Sequence, residues 1–163
     1  MKRFFCMLTM VAAVVCSATE YRIEAENMNR DDGWTKGVGG TGGSILYAGK
    51  KGLVATGTYL LPGKGHYTVW VHGETRNENW RRARVAINGV IFGEFGDARE
   101  KNFRDPHFYW TKMPLLLDAK NDDEVIRVEV TSLAGGARFD SLILSDDPKF
   151  NPAEMTDDKI TDS

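Results

Sequence analysis

Apolar side chains recur at every second position along most of this chain, and no segment shows the sustained 3.6-residue apolar stripe, with caps, of an amphipathic helix. Tyr21, Ile23 and Ala25 alternate with Arg22, Glu24 and Glu26. Tyr67, Val69 and Val71 alternate with Thr68, Trp70 and His72 inside a strand predicted over Gly65 to His72. Ala83, Val85 and Ile87 run up to Asn88-Gly89, a dipeptide that tolerates positive φ at both positions and so marks a two-residue hairpin. Val90 to Phe95 is its return strand. Leu53 to Leu61, Phe108 to Leu117, Val125 to Val130 and Ala137 to Leu144 complete the predicted set. Asn27 to Gly43, rich in Gly, Asp and Asn, reads as one long loop. Half-buried strands of this kind must cover their apolar faces with a second layer, so the expected fold class is all-β: a jelly-roll β-sandwich.

Antiparallel succession also assigns the connections. Pro62–Gly65, Asn88-Gly89 and Asp118–Asp123 fall at one end of such a sandwich. Glu74–Arg81, Gly96–His107 and Leu133–Gly136 fall at the other, so the long, aromatic-bearing loops share a rim, where binding sites favour flexible loops on a rigid frame.

The first stretch stands apart from that fold. Met1 to Ala18 reads as a signal peptide: Lys2 and Arg3, an apolar run from Phe4 to Val15, and small residues before a cut after Ala18. The run is too short for a membrane span, which needs about 20 apolar residues. A lipid anchor on Cys16 is the rival reading, weakened by Val15 where lipoprotein sites usually carry a small residue. Export implies a secreted, periplasmic or extracellular, protein. Both cysteines, Cys6 and Cys16, leave with the signal, so no disulfide staples the remaining chain. One domain is expected over residues 19–150, with a disordered acidic tail over residues 151–163. The formal charge of −2 becomes more negative once Lys2 and Arg3 are removed, which argues against nucleic acid or an anionic membrane as partner.

Two groups of residues carry candidate chemistry. Glu24 and Glu26 stand two apart on a predicted strand and should share a face, and Asp140 lies in the last strand, which often pairs with the first. Three adjacent carboxylates repel unless a hard cation joins them, and Ca²⁺ prefers such oxygen donors. A solvated acidic face and a catalytic carboxylate pair are the competing readings, the latter disfavoured by mid-strand positions. The second group is aromatic and polar. Trp80 follows Asn77 and Asn79, while Tyr109 and Trp110 follow Arg104, Asp105 and His107. An indole covers the apolar C–H face of a sugar, and amides, carboxylates and guanidinium groups bind its rim. Trp110 could equally alternate into the core, Trp70 reads as packing, and Trp34 is open between loop anchor and binding platform. The glycines of residues 37–43 lack the strand, helix and Gly-Lys-Ser/Thr of a phosphate loop. His66, His72 and His107 show no metal-ligand spacing, and no nucleophile–base arrangement stands out, so no catalytic residue is assigned.

Three motifs carry a family resemblance. Tyr21-Arg22-Ile23-Glu24-Ala25-Glu26-Asn27, Gly65-His66-Tyr67-Thr68-Val69-Trp70-Val71 and Arg138-Phe139-Asp140-Ser141-Leu142-Ile143-Leu144 resemble, in order and spacing, carbohydrate-binding modules of families 6 and 35. The likeness extends to β-sandwich domains attached to secreted bacterial oxidoreductase-like and polysaccharide-lyase-like proteins, through Gly33-Trp34 and the ending Asp146-Asp147-Pro148. The resemblance implies a galactose-binding-like sandwich with a structural calcium on Glu24, Glu26 and Asp140, and a sugar-stacking tryptophan at Trp110. It also implies an asparagine in contact with sugar two residues before Asp140, where this chain has Arg138, and an arginine where it has His72. Arg138 in that place favours an acidic sugar, since guanidinium pairs with carboxylate in a planar fork.

The expected function is therefore non-catalytic binding of a polysaccharide or glycan at one end of a calcium-stabilised sandwich, through Asn77, Asn79, Trp80, Tyr109, Trp110 and Arg138, with a separate catalytic or surface partner conceivable. The alternative is a structural or protein-interaction domain of a cell-surface assembly without sugar binding. A small glycan-processing enzyme is the third reading. An exposed tryptophan beside polar groups favours the first, a flat loop end with every tryptophan packed inward the second, and two facing carboxylates in a deep cleft the third.

Overall fold

The computed structural model describes residues 19–39, 44–75, 79–97 and 107–154. The expected signal segment with Cys16, the position Asn77, and the tail beyond residue 154 lie outside them. Among the described residues eleven strands form two antiparallel sheets packed face to face. In chain order they are β1 (Glu20–Glu24), β2 (Asn29–Arg30), β3 (Trp34–Gly37), β4 (Ile45–Ala48), β5 (Val54–Leu60), β6 (Gly65–Thr75), β7 (Ala83–Ile87), β8 (Val90–Phe95), β9 (His107–Ala119), β10 (Val125–Ser132) and β11 (Arg138–Ser145). One sheet runs β3-β4-β11-β6-β9, with β1 also paired to β11; the other runs β2-β5-β10-β7-β8. Among the described residues no helix is long and apolar enough to cross a membrane.

Alternation builds the core as the sequence suggests. Tyr67, Val69 and Val71 of β6, Ala83, Val85 and Ile87 of β7, and Ile126, Val128 and Val130 of β10 are all buried between the sheets. Sealing side chains of this size from water stabilises the fold by about 1.5–3 kcal/mol for each large one. Asn88 and Gly89 take φ of 51° and 80°, and Asn88 is locked by Arg127, whose N–H donates to its Oδ1 at 2.8 Å.

β11 departs from strict alternation. Phe139 pairs with Gly73, and Ser141 with His72, so Asp140 is an extra residue in a β-bulge. The bulge changes the parity of the strand, so Leu142 and Leu144 join Phe139 in the core although an odd step of three separates Phe139 from Leu142.

Three local expectations are corrected. Asn27–Gly43 is not one loop: it contains β2 and β3, and β3 pairs with β4, which the sequence pattern also missed. These strands are short and lie at or near the sheet edges, with mostly exposed residues in β2 and β3, so no alternation is forced on them. Second, Glu24 and Glu26 do not share a strand face. β1 ends at Glu24, and Ala25–Asn27 form a single 3₁₀ turn closed by a Met28 N–H bond to the Ala25 carbonyl at 3.1 Å. Ala25 and Met28 are both buried, and their spacing of three matches one 3₁₀ turn. Third, the expected tail begins with an ordered turn at Pro152–Glu154, where Pro152 is buried.

Register assigns the two rims. Residues 61–65, 88–89 and 119–125 lie at one. At the other meet the end of β6, the 3₁₀ turn Asn79–Arg81, the end of β8, the start of β9 and the connection from β10 to β11. The Leu133 N–H donates to the Arg82 carbonyl at 2.9 Å, tying two of these connections together.

Phe139 has no exposed surface and packs against Phe95 across the sandwich, ring centroids 5.9 Å apart. Phe139→Ala is expected to lower the unfolding free energy by about 3–5 kcal/mol. Urea unfolding checks this, with a shifted midpoint and an unchanged slope.

Candidate functional site

Glu74 is the last residue of β6 whose side chain leaves the sheet away from the core, yet it is only 1% exposed. Two arginines account for its burial. Arg81, closing the Asn79–Arg81 turn, donates from Nε to Glu74 Oε1 at 2.6 Å and from Nη1 to the Gly136 carbonyl at 2.7 Å. Arg138, opening β11, donates from Nη1 to Glu74 Oε2. Gly136 makes this possible: a Cβ there would lie 2.5 Å from Arg81 Nη1 and 2.7 Å from the Trp80 carbonyl oxygen. The Arg138 guanidinium also sits over Tyr47, 5.4 Å from the ring centroid, in cation–π range.

These residues floor an open groove of about 480 Å³ at the loop rim. Tyr47, Trp80, Arg81 and Arg138 line it together with Ala134, Gly135 and Gly136. Its volume suits a small organic ligand. Trp80 is 56% exposed, a large apolar surface left in water beside charged groups.

The groove thus brings together Trp80 and Arg138 from the sequence-predicted set. Asn79 opens the same 3₁₀ turn. Tyr109 and Trp110 lie on β9 and do not line this groove. Trp110 pairs with His72 across the strands and stacks on its ring at 4.7 Å, on the outer face of the sheet rather than in the core between sheets. Trp70, on that same outer face, has Lys112 Nζ 5.7 Å from its ring centroid. Trp34 is buried in the core, which resolves it as an anchor. Sequence reasoning missed Tyr47, Glu74 and Arg81. Glu74 and Arg81 bound the same predicted loop, but nothing in that spacing pairs them, and Tyr47 lay on a strand without detectable alternation.

The three carboxylates form a separate region. β1 pairs with β11, and Glu24 stands opposite Ser141, next to Asp140. Asp140 is fully buried and lies 2.6 Å from His72 Nδ1 through Oδ2. Arg22 Nε lies 2.6 Å from Glu24 Oε1, while Oε2 of Glu24 and of Glu26 are buried without a hydrogen-bond partner. Burial raises the Glu24 carboxyl above its ordinary value; Arg22 opposes this, and the charges of Asp140 and Glu26 add to the rise. Orphaned carboxylate oxygens in a region of mutual repulsion fit a hard cation in donor chemistry. Among the described residues, however, no three His, Cys, Asp or Glu side chains form a cluster able to hold an ion. Any cation here would need backbone carbonyls or water to complete its shell.

No family model matches this sequence, and no curated protein matches it. Solved structures do. The C-terminal family 6 carbohydrate-binding module of the laminarinase LamC from Zobellia galactanivorans superposes with a TM-score of 0.57 at 15% identity, over 78% of this chain and 99% of that one. A family 35 carbohydrate-binding module from Clostridium thermocellum gives 0.55 at 15%, over 77% and 97%. The chain has the β-sandwich fold of these modules. The same sandwich also matches the insecticidal crystal protein Cry2Aa, with a TM-score of 0.55 at 17% identity over 77% of this chain and 21% of that one. The fold is thus shared by proteins of different use, and what this sandwich does rests on its own groove.

Within that groove, Arg81→Ala is expected to lower the unfolding free energy by about 3–5 kcal/mol, because Glu74 would stay buried with the more deeply buried of its two arginine partners gone. Replacing both Glu74 and Arg81 by leucine should recover most of the loss, since Arg138 is exposed enough to turn to water. Paired urea unfolding curves check this. Equal losses for the single and double variants would show that desolvation of Glu74 is not the cause.

Proposed function

We propose that this chain is a non-catalytic glycan-binding module that holds its ligand in the loop-rim groove. The observation that carries the reading is Trp80, an exposed indole on the groove wall beside two arginines. A sugar ring offers an apolar face to the indole and hydroxyls to the polar rim, and that pairing uses both kinds of surface at once. The solved structures that share the fold support it, since several are named as carbohydrate-binding modules. The protein-interaction alternative is better served by a rim without an exposed aromatic. Trp80→Ala is expected to weaken binding to whichever glycans the wild type captures on an array by about tenfold or more, the scale of losing an aromatic stacking platform. Equal capture by both proteins would remove the groove from the reading.

Calcium and export belong to the same proposal. Glu24, Glu26 and Asp140 would supply carboxylate oxygens to a structural Ca²⁺ joining the first and last strands, and the ion would neutralise their repulsion. The residues of Met1–Ala18 support secretion, where millimolar calcium is available. With a dissociation constant of about 10⁻⁴–10⁻³ M, 10 mM calcium would stabilise the fold by about 1.4–2.7 kcal/mol. The melting temperature is therefore expected to rise in calcium and fall in chelator, and Glu26→Gln should abolish the difference. An identical melting temperature in both buffers would exclude the ion.

A further inference from the structure

We propose that the groove selects an anionic saccharide, one whose sugar ring bears a carboxylate or a sulfate ester; this rests on the glycan reading above and specifies its ligand class. The charge count at the groove is the first ground. Two guanidinium groups, Arg81 and Arg138, share the single carboxylate of Glu74, which leaves one positive charge uncompensated within the cluster. No acidic side chain is among the described residues that line the groove. A ligand anion brings the cluster to neutrality, whereas a neutral glycan leaves it charged.

Exposure says which group the ligand meets. The side chains of Glu74 and Arg81 are 1% and 10% exposed, so Glu74 is sealed beneath the surface and Arg81 shows little of itself to the groove. The side chain of Arg138 is 35% exposed and lines the groove. Its Nη1 is turned to Glu74, and its buried Nε has no acceptor among the described residues. A guanidinium carries five N–H donors in a rigid plane and matches the paired oxygens of a carboxylate or sulfate. Here that plane is held from one side by Glu74 and from another by the Tyr47 ring. The cation is thus oriented before any ligand arrives, which reduces the entropy lost on binding. Trp80, on the same groove, supplies the apolar platform that a bare inorganic anion does not use. Charge and platform together specify an anion carried on a sugar.

The test is calorimetric titration of the full chain with two matched pairs of oligosaccharides. One pair is a set of uronate oligosaccharides and their carboxyl-reduced counterparts; the other is a sulfated galactan and its desulfated form. At least one anionic member is expected to bind about tenfold or more tighter than its neutral partner, as a charge-assisted fork allows. The pair showing the preference identifies the anion, and the preference should shrink as salt is added. Arg138→Gln should bring the two members within about twofold. Arg138→Lys should keep part of the preference, which a misfolded groove would not. If the wild type binds neutral and anionic members alike, or Arg138→Gln keeps the full preference, the charge inference is overturned and the glycan reading stands. If neither kind of saccharide binds, the glycan reading falls and takes this inference with it. The wild-type comparison needs no variant, so the outcome does not depend on how well Arg138→Gln folds.

Discussion

The pairing of β11 organises this molecule. It joins β6 along one edge, and β4 and β1 along the other, so the last strand is the hub of its sheet. A hub of this kind must bury both faces, and eight residues of a single strand cannot do that with strict alternation alone. The bulge at Asp140 supplies the correction. It lets Phe139, Leu142 and Leu144 all enter the core, and it places Asp140 beside His72 on the outer side. It also leaves Arg138, one residue before Phe139, pointing to the rim next to Tyr47. The carboxylate region and the groove are thereby set by positions two apart on one strand, Asp140 and Arg138, and a slip of register would displace both.

The same strand ties the chain's ends together. The described chain contains no cysteine, so β1 is held to β11 by ladder bonds and by the Thr19 N–H donating to Asp146 Oδ1 at 2.6 Å. Pairing of first with last strand closes a very long loop, and such non-local contacts form late and fold slowly. A cation shared by Glu24, Glu26 and Asp140 would act at this junction, where it adds most to the closed state.

Much of the sandwich was legible because burial on one face forces alternation: β7 and β10 show it residue by residue, β6 keeps it in its apolar residues Tyr67, Val69 and Val71, and Asn88-Gly89 marks its turn unambiguously. β2 and β3 were not legible, since short edge strands with exposed side chains obey no such constraint. The turn at Ala25–Asn27 was hidden for a different reason: Ile23 and Ala25 follow a period of two, and only Met28, three further on, signals the change. In the groove, Trp80 and Arg138 could be named from their residue chemistry and from resemblance. Glu74 could not, because an acidic residue at the end of a strand pattern looks like a solvated one until two arginines, one from the next turn and one from β11, are seen to cover it.

That buried acid is also the clearest sign that the rim is more than a scaffold. Desolvating a carboxylate costs several kcal/mol, and well-packed apolar residues often serve stability as well or better than a buried ion pair. Stability alone therefore gives weak reason for Glu74, Arg81 and Arg138 to meet here. Orientation gives a stronger one. Glu74 is fixed by Arg81, Arg81 by the Gly136 carbonyl, and Arg138 by Glu74 and Tyr47, so each contact narrows the freedom of the next. The chain of contacts ends on Arg138, the more exposed of the two guanidiniums that line the groove, beside an indole left in water. A surface that needed only to fold would have little use for that order, whereas a surface that recognises a ring bearing polar groups needs both an apolar platform and a donor held in a set plane.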